Sequence, residues 1–398
     1  MSAQMVPIGE VVDFIGGGTP SRDVDHYWNG DIPWASVKDF KGPSIESTLE
    51  SITHEGLSAS SSALIPAGHV IMPTRMALGK AAINSIDVAI NQDLKALKPT
   101  ARIDTRYLLH AILSRANEIQ SHGKGATVQG ITIERLRAIQ IPLPPLEEQR
   151  RIAAILDKAG QILSSNRQAD ALRQHLHARL FISMLGDPRS NPIGWPRLSI
   201  EALTSDYVGG AALAPEDFVD QGTPVLHKGA IKSGGRIEVD SKKKGFVTPQ
   251  TAQNYQRSLA GPGKVAVTLR DLVPSGPFIG LMADLSTIEI PEFLLAQGTY
   301  AFTVDTTKIL PGYLIALVNM PTFRLVLRQN AVGSTQIHIR LPVFKSIEIP
   351  VPPIEKQHEF ARIIGRISSI DVSSQARIQR IDELTRVLQS SSFSEQDI

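Results

Sequence analysis

The chain has no cysteine at all. That absence excludes disulfide staples, thiolate catalysis and cysteine-ligated zinc or iron–sulfur clusters, and it suits a reducing cytoplasm. No stretch reaches the roughly 18 consecutive apolar residues of a spanning helix, so no membrane segment is expected. The opening Met1–Ile8 carries neither a basic n-region nor an apolar h-region, which predicts no signal peptide and a cytoplasmic location. An excess of one charge is missing too: 41 Lys and Arg against 39 Asp and Glu leave +2. A strongly basic chain would advertise nucleic acid, and this one does not. What is present is ordinary for a globular protein, with 42% hydrophobic and 20% charged residues over 398 positions. That length commonly holds two or three domains.

The chain does contain a repeat. Ile139-Gln-Ile-Pro142-Leu-Pro144-Pro145-Leu-Glu147-Glu-Gln149 recurs as Ile347-Glu-Ile-Pro350-Val-Pro352-Pro353-Ile-Glu355-Lys-Gln357, an offset of 350 − 142 = 208 residues. The same offset carries Gly125-Ala-Thr127 onto Gly333-Ser334-Thr335, Ile131 onto Ile339, and Ala153 and Ile155 onto Ala361 and Ile363. A register kept this long, with mostly like-for-like substitutions, is a duplication. Within each copy, alternating Ile139 and Ile141 fit a short strand. The Pro-x-Pro-Pro run after it has no donors to give a sheet and predicts an extended exit. Glu147 and Glu148 then open a helix, where negative charge suits the dipole. Ile152, Ile155, Leu156, Ala159, Ile162 and Leu163 keep three-and-four spacing, Leu172, Leu176, Leu180 and Met184 continue it, and Gly186 and Pro188 end it. Phe360, Ile363, Ile364, Ile367, Ile378, Ile381, Leu384 and Leu388 do the same in the second copy. Each helix would be nearly forty residues, roughly 58 Å at 1.5 Å per residue. A stripe that long needs a partner helix, and each copy supplies one for the other.

Residues 1–138 and 193–346 differ in texture, with Gly/Pro punctuation, short β-branched runs at His69–Met72 and Lys264–Thr268, and a brief helical window at Tyr107–Ile119. They read as mixed α/β globular domains, each followed by one long helix. The expected fold class is therefore α/β (α+β), with two globular domains separated by two long antiparallel coiled-coil helices in an internal pseudo-two-fold repeat. The boundaries are 1–145, 146–190, 191–349 and 350–398. A looser alignment pairs Ile65-Pro-x-Gly68-x-Val70 and Arg75 with Leu259-Ala-Gly-Pro-Gly263-x-Val265 and Arg270.

The residues at 142–153, Pro-Leu-Pro-Pro-Leu-Glu-Glu-Gln-Arg-Arg-Ile-Ala, resemble the conserved-region motif of specificity (S) subunits of Type I restriction–modification systems. Ile15-Gly-Gly-Gly-Thr-Pro-Ser21 and Tyr27-Trp28-Asn29-Gly30-Asp31-Ile32-Pro33-Trp34 resemble the opening of many target-recognition domains in that family. So do Ile65-Pro66-x-Gly68, Thr74-Arg75, Asn91-Gln92 and Gly333-Ser334-Thr335-Gln336. The resemblance covers nearly the whole chain, twice over. The departures are Ala126 and Val128 in the first copy and a second globule that keeps only Gly222-Thr-Pro224-Val225 of the Gly-Asp-Ile-Pro-Trp segment. The resemblance implies a non-catalytic subunit whose two target-recognition domains read the halves of a split, asymmetric double-stranded DNA site. It also implies docking of two methyltransferase subunits, with restriction/translocase subunits joined through them. S-adenosylmethionine and ATP with magnesium are then expected on those partners and none in this chain. The repeat positions Gly125, Thr127, Pro142, Pro144, Pro145, Glu147 and Gln149, with Gly333, Ser334, Thr335, Gln336, Pro350, Pro352, Pro353, Glu355 and Gln357, become candidates for methyltransferase docking.

Other motifs carry less. Phe14-Ile-Gly16-Gly-Gly18 spells the F-x-G-x-G string of S-adenosylmethionine-dependent methyltransferases, but Thr19-Pro20-Ser21 opposes the helix that string requires, and no Asn-Pro-Pro-Tyr-like motif exists. A stand-alone DNA methyltransferase is thus disfavoured as an alternative, and a coiled-coil protein-binding adaptor is the other. Gly79-Lys80 and Gly263-Lys264 lack the rest of a phosphate loop and read as turns at strand ends, although either Lys80 or Lys264 could meet a DNA phosphate. His175 and His177, two apart on a helix, cannot form an i, i+4 metal pair. Lys242-Lys243-Lys244 reads either as a solvated hairpin tip or as a phosphate contact. Arg75 and Arg270 suit guanine or phosphate, or a structural ion pair. Asn91, Gln92 and Gln297 are amide candidates for adenine readout, while Trp28 and Trp34 read as packing residues. Residues 1–145 carry 13 basic and 14 acidic groups and 193–350 carry 15 and 13. Domains this neutral are expected to grip DNA weakly without partner subunits.

Overall fold

The computed structural model describes residues 3–123, 130–239 and 245–393. Gly125, Thr127, Lys242, Lys243 and Lys244 lie outside the described residues. The chain forms two compact units, Met1–Asn166 with Gln375–Ile398, and Arg167–Ser374. The sequence-based division instead set the two helices, 146–190 and 350–398, apart from the globules. Both helices are continuous, Leu146–Leu185 and Ile354–Phe393. Each starts in one unit and finishes in the other.

The first unit holds a five-stranded sheet in the order Val12–Gly16, Leu94–Pro99, Val70–Pro73, Ala82–Asn84 and Ser44–Ile45. A four-stranded sheet follows the order Glu50–Ile52, Trp28–Ala35, Val88–Ile90 and Ala63–Ile65. The second unit repeats the scheme on different residues. Its first sheet runs Thr204–Gly209, Thr299–Val304, Val265–Thr268 and Met282–Asp284. Its second runs Phe246–Val247, Thr223–Leu226, Phe293–Leu295 and Leu259–Ala260, with Phe218–Val219 added at the edge. In both units the second sheet contains one parallel pairing, Trp34 opposite Ala89 and Val225 opposite Leu294. Pro33 and Pro224 precede these matched residues, so the short Gly222-Thr-Pro224-Val225 remnant marks the same strand as the longer motif.

The Pro-x-Pro-Pro motif does more than leave the sheet. Pro142 and Pro350 are themselves strand residues, paired with Met5 and Arg197 in two-stranded antiparallel ribbons. A ribbon has only edge strands, where a residue without an N–H is tolerated. The expectation that the sheet stops before the first proline is corrected by one residue or more. The Tyr107–Ile119 window is broken into Thr105–Ser114 and Ala116–Ser121, the first capped by Asp104, whose carboxylate accepts from Arg106 N and Tyr107 N.

Each core is closed by the head of one long helix and the tail of the other. In the first unit Ile152, Ala153 and Leu156 share a buried cluster with Tyr107 and Phe393. The Tyr107 and Phe393 rings lie 5.3 Å apart. In the second unit Phe181 and Leu185 join Phe360 and Tyr313, with Phe181 stacked on Tyr313 at 5.5 Å. The middle of the apolar stripe behaves otherwise. Leu172 and Leu384 are exposed, at 71% and 60%.

Candidate nucleic-acid interface

The repeated glutamines are the most constrained polar groups of the motif. Gln149 donates to Arg102 O at 3.0 Å and Pro144 O at 2.8 Å and accepts from Asp104 N at 2.8 Å. Gln357 donates to Lys308 O at 3.1 Å and Pro352 O at 2.8 Å and accepts from Leu310 N at 2.8 Å. Both side chains are fully buried. Beside them Tyr107 and Tyr313 donate their hydroxyls to Pro142 O at 2.9 Å and Pro350 O at 2.8 Å. Burial raises both phenols above the ordinary tyrosine range, and Glu148 adds to the effect at Tyr107. Gln149 and Gln357 therefore tie strand, helix and loop together, and a buried amide with its bonds used has nothing to offer a partner, while Pro142, Pro350 and Pro352 are buried beside them. Pro145, Glu147, Pro353 and Glu355 are exposed at the helix starts, and Pro144 is half-buried.

The two arginines stand at equivalent backbone positions. Thr74, before Arg75, donates its N–H to Asp93 O at 2.7 Å, and Ile131 N returns to Thr74 O at 3.0 Å. Leu269, before Arg270, donates to Gly298 O at 2.8 Å, and Ile339 N returns to Leu269 O at 2.8 Å. Arg75 bridges Gly130 and Arg270 pairs with His338, positions again 208 apart. The sequence-based pairing of Arg75 with Arg270 is thus a pairing in three dimensions.

Their partners differ. Arg75 faces the Asp93 carboxylate at 3.5 Å. Arg270 is held by two neutral amides, donating to Gln297 Oε1 at 2.8 Å and Gln336 Oε1 at 2.7 Å. Gly298 occupies the place of Asp93, with φ +87°, and a Cβ there would overlap the Arg270 side chain. The structural-ion-pair reading of the arginines therefore applies to the first unit alone. Arg270, Gln297, Gln336, His338 and Arg340 line an open groove of about 720 Å³. Gly333, Ser334 and Thr335 form the exposed bend that leads into it.

The remaining candidates separate. Gln92 is exposed and its Oε1 accepts from the Thr19 hydroxyl. Asn91 is buried, and its Oδ1 accepts from Asp93 N at 3.1 Å, a local Asx turn. It is corrected as an adenine-reading candidate. Lys80 is exposed in the turn after Gly79. Lys264 bonds Asp206 O at 2.9 Å and Thr303 Oγ1 at 3.2 Å. The glycine string does not open a helix: Gly17 lies so close to Ile90 O that a Cβ would overlap it, a backbone approach that only glycine allows. Trp34 is core and donates to Gly18 O at 3.1 Å. Trp28 is half-buried and carries the Arg22 guanidinium 3.6 Å above its ring, while Glu50 binds that guanidinium at 2.5 and 3.1 Å. Sequence reasoning passed over Arg22, His338 and Arg340, since lone cations without spacing carry no signal.

Buried Asp271 follows Arg270 and accepts from Phe278 N at 2.8 Å, with Lys228 Nζ at 3.6 Å. Burial depresses the Lys228 amine, against the opposing pull of Asp271. Among the described residues no group of three or more His, Asp or Glu could hold a metal ion. Among them, too, no helix is long and apolar enough to cross a membrane. The exposed inventory is guanidinium, amide and imidazole, suited to hydrogen bonding rather than to bond breaking.

Comparison with known proteins agrees with this inventory. The family model for the Type I restriction modification DNA specificity domain matches residues 2–172 and 273–383. The Type I restriction enzyme EcoR124I/EcoR124II specificity subunit of Escherichia coli is 37% identical over 165 residues, which span 40% of this chain and 41% of that protein. The MjaVIII specificity subunit of Methanocaldococcus jannaschii is 24% identical over 382 residues, 92% of this chain and 86% of that one. The crystal structure of a Type I restriction–modification S subunit from M. genitalium superposes with a TM-score of 0.57 at 14% identity, covering 99% of this chain and 96% of the other, a likeness of fold.

Proposed function

The chain belongs to the family of Type I restriction modification DNA specificity domains, and on that premise we propose that it reads a split, asymmetric double-stranded DNA sequence for a Type I restriction–modification complex. It is a specificity component and not the catalyst. The observation that carries the reading is the matched placement of Arg75 and Arg270 on one duplicated backbone frame, among different neighbours. A frame written twice supplies two readers, and different neighbours supply two different half-sites. An arginine at such a position takes guanine O6 and N7 or a phosphate, and an amide such as Gln92, Gln297 or Gln336 takes adenine N6 and N7. Lys80 and Lys242–Lys244 serve the phosphate backbone, which sets register without carrying sequence.

In this reading the long helices dock two methyltransferase subunits and, through them, the restriction subunits. Exposed Ile155, Leu172, Leu176, Leu384 and Val387 support it, since apolar side chains on a helix surface suit a partner. The helices, as an antiparallel coiled coil, fix the spacer between half-sites. S-adenosylmethionine and ATP with magnesium sit on the partners. The test is co-expression with the methyltransferase of the same system, followed by single-molecule sequencing of the methylated genome. The expected result is methylation at a two-part, non-palindromic sequence by a complex of two methyltransferases to one chain. Methylation at a palindrome, or a pattern unchanged by deleting this chain, overturns the proposal.

A further inference from the structure

Directly after Arg75 stands a residue in an unfavourable backbone conformation. Met76 has φ +66°, a region that side chains with a Cβ seldom adopt. Ala77 N donates to Arg75 O at 2.8 Å, closing a three-residue turn with Met76 at its centre, and positive-φ turns of this kind are rare and strained. The turn is pinned on both sides. Thr74 is bonded to Asp93 O through its N–H and its hydroxyl, at 2.7 and 3.0 Å, and Gln120 Nε2 donates to the carbonyl of buried Leu78 at 3.1 Å. Yet Met76 gains no packing from this arrangement, since it is 62% exposed. A strained conformation held by its surroundings, displaying a large apolar side chain to solvent, marks a functional position.

The second unit does the same by another route. After Arg270, Asp271 is buried and accepts from Val273 N at 3.4 Å and Phe278 N at 2.8 Å, which fixes the loop. Leu272 and Val273 then stand out at 52% and 44% exposure. Two unrelated loops thus place an exposed apolar side chain next to the matched arginine.

We propose that Met76 contacts the methyl group of a thymine beside the base or phosphate held by Arg75, with Leu272 and Val273 as its counterparts beside Arg270. The inference rests on the chain being a DNA reader and names a specificity determinant within that reading. The thymine methyl is the one apolar feature of a base edge in the major groove. Exposed Arg75 precedes Met76 and exposed Lys80 follows it by four residues, cations that suit a phosphate backbone.

The test uses the full complex with its methyltransferase and duplexes containing the mapped target, in which each thymine is replaced in turn by deoxyuridine, lacking only the methyl. One replacement is expected to weaken wild-type binding about four-fold, the value of one buried methyl at about 0.8 kcal/mol. The same replacement should leave the Met76→Gly complex unaffected, and Met76→Leu should keep the sensitivity. Glycine relieves the strained φ, so Met76→Gly should melt at the same temperature or higher. Uracil sensitivity in Met76→Gly equal to wild type at every position, no sensitive position in wild type, or a lower melting temperature each overturns the inference while leaving the DNA-reading role intact. A wild-type complex that does not prefer its target over a scrambled duplex removes the DNA-reading role itself.

Discussion

The first unit's arginine looks at a carboxylate and the second unit's at two amides, on backbones tied by matching hydrogen bonds. Arg75 with Asp93 approaches local neutrality. Arg270 instead meets the carbonyl oxygens of Gln297 and Gln336, which carry no charge to offset its own. The exchange of Asp93 for Gly298 alters the electrostatics without moving the hydrogen bonds that hold the turn. On the proposed reading, recognition on this frame is a matter of a few side chains, while folding rests on others. Gln149 and Gln357 belong to the second class, and their three bonds apiece are the same to within about a tenth of an ångström.

The largest effect tests the sameness of the frame. Gln149→Leu and Gln357→Leu each strand one N–H and two carbonyls, most of them half-buried, and each is expected to cost about 3 kcal/mol by denaturant unfolding. Costs differing by more than about 1 kcal/mol would break the equivalence of the two units. A smaller effect tests their difference. Arg270→Ala should weaken target binding by about 2 kcal/mol and lower the salt slope by about 1, as for a contact of an unneutralised cation. Arg75→Ala should lower the slope less, and Asp93→Asn should raise affinity at low salt by releasing Arg75. Equal slopes for the two arginine variants would show that Asp93 swings away in the complex. The smallest effect concerns a pair present only in the first unit. The Arg22 guanidinium bound to Glu50 holds that carboxyl below the ordinary glutamate range, partly opposed by burial. A depressed folded value means that the stabilisation is complete above the unfolded value, about pH 4.3, and is lost as pH falls through the folded one. Because both side chains are over a third exposed, the ion pair should contribute under about 1 kcal/mol, so Arg22→Ala should cost more at pH 7 than at pH 2, where only its stacking on Trp28 is lost.

Much of the frame is legible in the chain because repetition survives substitution. The offset of 208 that matches Pro142 to Pro350 also matches the backbone pairings of Gly130 and His338. The role of Gln149 was legible in principle: it precedes Ile152, Ala153 and Leu156 by three, four and seven residues and so shares their buried face. Read as a surface motif, it was misplaced. Asn91-Gln92 looked like two amides for one purpose, but a side chain that bonds its own backbone two residues on is spent locally. Met76 left no trace, since no residue type announces a positive φ other than glycine and asparagine. The division of the helices between units was equally hidden. Periodicity reports that a stripe is covered, not which segment covers it.

That division has a consequence for the order in which the molecule is completed. The second unit is a single stretch, Arg167–Ser374, and can close as soon as it has been synthesised. The first unit lacks the end of the second helix until that helix has been made, for Tyr107 waits for Phe393, 393 − 107 = 286 residues later. Contacts of such sequence separation form slowly, because the intervening loop must be ordered before they are rewarded. The earlier segment of the first unit therefore leaves the ribosome well before its core is sealed, and during that interval its apolar surface is what a chaperone would find.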